Sequence, residues 1–106
     1  MANFIGNELY SCRTCRNPLA YGQDILSKNF TTKSGPGYMF LYAMNVVVGR
    51  KEERQLLTGK FTIADIYCSK CNESLGWQYL QTNDMRQRFK EGKYVLERMK
   101  LLVQQY

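Results

Sequence analysis

Apolar side chains in this chain fall in short runs broken by polar turns, a rhythm that predicts strands more often than helices. Residues 9–11 read as a short strand running into a cysteine, and residues 24–27 as a second that Phe30 can close. Ser34-Gly35-Pro36-Gly37 reads as a turn. Residues 38–48 form the most apolar stretch, one or two strands, because their aromatic and β-branched residues favour pleated backbone. Residues 49–54 are charged and read as a hairpin loop. Residues 61–67 alternate, with Phe61, Ile63, Asp65 and Tyr67 on one face and Thr62, Ala64 and Ile66 on the other. Residues 75–80 make another strand. Residues 83–90 fit one or two helical turns, with Asn83 as N-cap and Gly92 as stop. Residues 94–103 fit either type: Val95, Met99 and Val103 recur at helical spacing, whereas Met99, Leu101 and Val103 alternate. A mainly β domain with little helix is the expectation.

Composition narrows this to one globular domain spanning residues 1–106, with 44% hydrophobic and 13% aromatic content. No apolar run approaches the ~20 residues of a membrane-spanning helix. Met1-Ala2-Asn3-Phe4 shows neither the basic-then-apolar pattern of a secretory signal nor the glycine that myristoylation needs. An intracellular protein with no membrane contact is expected. Fifteen basic against nine acidic residues give a net charge of +6. Four metal-bound thiolates and one divalent ion lower this to about +4, moderately basic and short of demanding a nucleic-acid partner.

The four cysteines change the picture most. Cys12-Arg13-Thr14-Cys15 and Cys68-Ser69-Lys70-Cys71 repeat one spacing. Two thiolates three positions apart occupy two corners of a tetrahedron, and a second such pair closes it. Paired disulfides and a redox dithiol are the alternatives, but disulfides are rare in reducing compartments and redox pairs come singly, at a helix start. One structural Zn²⁺ held by Cys12, Cys15, Cys68 and Cys71 is the expectation, each pair on a turn that Asn17 or Asn72 relaxes. A site with no open position is scaffold and not catalyst. The chain has no histidine and no paired carboxylates, so no enzyme chemistry is expected. Asp65 reads as a backbone hydrogen-bond partner beside the second cysteine pair.

Around the cysteines lie Tyr10-Ser11-Cys12, Ile25-Leu26-Ser27-Lys28, Leu57-Thr58-Gly59, Asp65-Ile66-x-Cys68, Leu75-Gly76-Trp77-x-Tyr79 and Phe89-Lys90-Glu91-Gly92-Lys93. In this order and spacing they resemble the Yippee family, its plant members in particular. Departures exist: Pro18 and Phe61 stand where Yippee proteins usually carry histidines. The resemblance implies a β-tent, two antiparallel sheets pinned at one end by one zinc, an architecture shared with the thalidomide-binding domain of cereblon. It further implies a protein-interaction or adaptor module, with nucleus, cytoplasm and ubiquitin-ligase assemblies as settings.

Two surfaces are candidates for binding. Trp77, the only tryptophan, either packs in the core near the zinc or walls a pocket with Tyr79, for which the resemblance adds Leu57 and Ile63. Arg86, Arg88, Lys90 and Lys93, with Arg50, Lys51 and Arg54, are interleaved with Glu52, Glu53 and Glu91 and read as a solvated face. Phe89 and Tyr94 beside them leave nucleic-acid binding as an alternative to a protein partner. The oligomeric state stays open, because Leu101-Leu102-Val103 and Tyr106 can cover this core or a neighbour's.

Overall fold

The computed structural model describes residues 7–105; Tyr106 and the stretch read for an export signal lie outside them. Nine strands account for most of the described chain: β1 (Glu8–Cys12), β2 (Pro18–Tyr21), β3 (Ile25–Thr32), β4 (Gly35–Phe40), β5 (Val46–Leu56), β6 (Gly59–Cys68), β7 (Ser74–Gln81), β8 (Tyr94–Glu97) and β9 (Leu101–Gln105). They form two antiparallel sheets, as expected. One has the order β2-β1-β9, the other β3-β4-β8-β7-β6-β5.

Position in the larger sheet explains the sequence of each strand. The inner strand β6 buries Phe61 and Ile63, and also Ala64 and Ile66, so its alternation is blurred by burial on both faces. Bulges between Thr62 and Ile63 and between Ile66 and Tyr67 shift its register against β7. Strand β5 is an edge, and there the charged residues 50–54 belong. They are not a hairpin loop: Lys51 pairs with Ala64 and Arg54 with Phe61 across β6, and the turn falls at Leu57-Thr58 instead. Charged side chains along an exposed edge discourage pairing with another chain, so edge chemistry imitated loop chemistry in the sequence.

Other boundaries moved for local reasons. The turn expected over residues 34–37 is tighter and earlier, and Gly35 already opens β4. The apolar stretch 38–48 splits at residues 41–45, where Asn45 takes φ 57°. Asp84, not Asn83, caps the next turn by accepting from the Arg86 N–H, and that turn is a 3-10 helix, Met85–Lys90. The ambiguous segment 94–103 is two strands separated by the 3-10 turn Arg98–Lys100, which carries the chain from the larger sheet to the smaller.

Two apolar clusters result. The first gathers Tyr10, Leu19, Phe40, Ile66, Leu75, Leu96 and Leu101 with Cys12 and Cys68. The second gathers Met39, Phe61, Ile63, Trp77, Tyr79 and Val95. Gly76 sits between them on β7 at φ 153°, and a Cβ there would lie 1.9 Å from the Val95 carbonyl oxygen on β8. Only glycine permits so close an approach.

Candidate metal centre

Strands β1 and β6 end on Cys12 and Cys68, and each is followed by the same turn. The Arg16 N–H donates to the Cys12 carbonyl at 2.7 Å and the Asn72 N–H to the Cys68 carbonyl at 2.9 Å. In return, the Cys12 N–H donates to Asn17 O at 2.8 Å and the Cys68 N–H to Glu73 O at 2.9 Å. The left-handed residues are Arg16 (φ 66°) and Asn72 (φ 65°). Asn72 does what the sequence suggested, whereas the first turn is relaxed by Arg16 and not by Asn17.

Asn17 has another task. Its side-chain amide donates to Cys68 Sγ at 3.3 Å and to Ser69 Oγ at 3.3 Å, so the first turn grips the second. Glu73 answers from the second turn, accepting from Thr14 Oγ1 at 3.2 Å and from Lys100 Nζ at 2.6 Å.

These contacts bring all four sulfurs within 4.8 Å of one another. Cys12 and Cys71 stand 3.6 Å apart, Cys15 and Cys68 3.5 Å, and none is in a disulfide. Tetrahedral thiolates on a Zn–S bond of about 2.3 Å are separated by about 3.8 Å, so the cluster suits a four-coordinate ion. Its electrostatics ask for a cation. Burial pushes the Cys68 thiol up, but hydrogen bonds from Asn17 and from the Cys71 and Lys70 N–H groups outweigh this and lower it to about 6. The Glu73 N–H favours the Cys71 thiolate, yet burial and the three neighbouring sulfurs push it up to about 12. Cys68 ionises readily, whereas Cys15 and Cys71 resist a second negative charge, an opposition that a divalent ion removes. Because Cys12 belongs to the smaller sheet and Cys68 to the larger, an ion held here joins the two.

Away from the cysteines the structure redistributes the other candidates. Trp77 is buried in the second cluster and not beside the cysteines, packed edge-on against Tyr79 with centroids 6.0 Å apart. Burial raises the Tyr79 phenol, opposed in part by the nearby Trp77 indole N–H, which is itself buried without a fully formed hydrogen bond. Leu57 is exposed and rims a cavity of about 560 Å³ that Trp77 and Tyr79 also line; Ile63 is fully buried and packs behind it. A second cavity, of about 300 Å³, shares the Trp77 wall.

The basic residues separate. Arg86 and Arg88 are exposed, Arg86 against Asp84, and Lys93 is half-buried. Arg54 grips the Asp65 carboxylate with both Nη atoms, at 3.0 and 3.2 Å, so the partner of Asp65 is a guanidinium and not backbone. Lys90 departs furthest from a solvated face. It is only 4% exposed, and its Nζ donates to Thr58 Oγ1 at 2.9 Å. The rings of Phe61, Phe30, Tyr79 and Phe89 surround that Nζ at 5.0, 5.4, 5.4 and 5.8 Å. Burial holds its pKa below the usual lysine range. Apart from the adjacent Phe89, the local sequence does not mark its burial; topology brings β3, β6, β7 and the Leu57-Thr58 turn around it.

A mainly β chain with two antiparallel sheets meeting at a four-cysteine cluster is a small β domain of the metal-knuckle kind. Residues 9–106 match the family described as Yippee zinc-binding/DNA-binding/Mis18, centromere assembly, and the chain belongs to the Yippee family. A yippee-like protein of Arabidopsis thaliana is 56% identical over 92 residues, covering 87% of this chain and 88% of that protein. Another from the same plant is 49% identical over 102 residues, 96% of each. A yippee-like 3 protein of Oryzias latipes is 48% identical over 88 residues, covering 83% of this chain and 74% of that protein. The crystal structure of the Mis18 'Yippee-like' domain aligns with a TM-score of 0.73 at 17% identity, covering 93% of this chain and 96% of that one, a likeness of fold.

Proposed function

We propose that this protein is a non-enzymatic, zinc-stabilised adaptor that presents its surface to a protein partner in the nucleus or cytoplasm. The observation that carries the reading is the cluster of Cys12, Cys15, Cys68 and Cys71, one pair following each sheet and every corner of the tetrahedron taken by sulfur. A zinc so enclosed supplies folding energy and leaves no position for water or substrate. Membership of a family whose description includes centromere assembly supports a partner-binding role. The same description includes DNA binding, which draws less support: Lys90 is internal and Arg86 is held by Asp84.

A second reading, a ligand cleft at Trp77, is favoured by the two cavities that share that side chain. Metal analysis of purified protein should find one zinc per chain, with four thiols reacting only after denaturation. Quantitative affinity capture from cells should then recover a partner that survives Arg86→Glu/Arg88→Glu or is lost with it, which distinguishes a protein contact elsewhere from one on the basic turn. Protein that folds without zinc, or that retains no partner reproducibly, sinks the adaptor reading.

A further inference from the structure

The ammonium of Lys90 is a buried cation without an anion. Among the described residues no carboxylate lies within 4.0 Å of its Nζ, and its single hydrogen bond goes to the neutral Thr58 hydroxyl. Aromatic faces attract an ammonium, but they accept none of its remaining N–H bonds in full. Burying a charge this way is costly unless a counter-ion arrives.

The cavity of about 560 Å³ beside Lys90 has the complementary character. Its lining contains no acidic residue; its polar groups are Asn29, Thr31, Gln55 and Thr58, and its walls are Phe30, Leu56, Leu57, Trp77 and Tyr79. Its volume lies within the range of small-ligand sites, roughly 300–1,000 Å³. Thr58 accepts from Lys90 and keeps its own hydroxyl proton to donate. One ammonium and one hydroxyl donor, set against apolar walls, match a single negative charge on an apolar body. A phosphate dianion would leave a charge unmatched in the same surroundings.

We propose that this cleft binds a small aromatic monocarboxylate, its carboxylate taken by Lys90 Nζ and the Thr58 hydroxyl and its ring lodged against Trp77 and Leu57. This deepens the second reading above and rests on there being a ligand cleft at Trp77. Spacing does not announce it, because the lysine ends the Met85–Lys90 turn whereas the Phe30, Phe61 and Tyr79 rings come from three separate strands.

The test compares 3-phenylpropanoate with its neutral amide on the zinc-loaded full chain, following the indole N–H resonance of Trp77. The acid should bind saturably and at least about tenfold more tightly than the amide, the margin of a charge-assisted hydrogen bond. Lys90→Met keeps the length and apolar packing of the side chain and should erase the difference. Arg86→Glu/Arg88→Glu should leave it intact. Equal binding of acid and amide overturns the carboxylate inference while the cleft stands. Failure of both to bind overturns the two together. Loss of acid binding in the Arg86/Arg88 variant overturns the assignment to Lys90, and binding of N-acetyl-Gly-Ala-Phe acid but not of 3-phenylpropanoate overturns the small-molecule ligand in favour of a peptide terminus. Should Lys90→Met fail to fold, the acid-to-amide ratio on the unaltered protein still decides.

Discussion

The two ends of the molecule solve opposite electrostatic problems. At one, four sulfurs crowd within 4.8 Å and favour a cation. At the other, one ammonium is enclosed by four rings and a hydroxyl, with no carboxylate of the described residues within 4.0 Å. The first is built from two copies of a local turn, each fixed by the same backbone hydrogen bonds. The second is built from side chains far apart in sequence, Phe30, Thr58, Phe61, Tyr79 and Lys90, and exists only once the larger sheet has formed. The contrast teaches that a site made of repeated local geometry is written in spacing, whereas a site made of convergence is not.

The largest effect should come from breaking the first end. Structural zinc contributes about 10–16 kcal/mol in small domains, against a total stability of about 5–15 kcal/mol. Chelation or Cys68→Ser should therefore abolish cooperative unfolding by circular dichroism. Amide protection persisting in β6 and β7 after chelation would show instead that the aromatic end stands alone. Gly76→Ala strikes the seam between the clusters, where a Cβ would meet the Val95 carbonyl at 1.9 Å. It should cost about 3 kcal/mol or more in urea unfolding while zinc stoichiometry holds, since both strain and lost β7–β8 pairing oppose it. The smallest effect belongs to Leu57→Ser. At 88% exposure, Leu57 should contribute within about 0.5 kcal/mol to stability, so a larger loss would mean that the cavity rim is structural.

Much of this was legible beforehand, for unequal reasons. The four cysteines and the strands that deliver Cys12 and Cys68 follow from spacing and alternation, and the family follows from residues running the length of the chain. Residues 49–54 misled because an edge strand and a hairpin loop share the same charged chemistry. Lys90 misled because a basic residue beside Arg86 and Arg88 looks solvated until the fold places aromatic faces around it. The sequence reads Asp65 as a backbone hydrogen-bond partner, but the guanidinium of Arg54 takes its carboxylate from the neighbouring strand β5.

Strand β1 has consequences for how the molecule is made. It pairs with β9, matching Glu8 to Gln105, and its cysteine waits for Cys68. During synthesis the nascent chain thus carries Cys12 and Cys15 unsatisfied through most of its elongation, and the smaller sheet is the last part to close. Until then the two thiols are open to soft metals and oxidants, and the four-sulfur cluster can close around an ion only once Cys68 and Cys71 have been made.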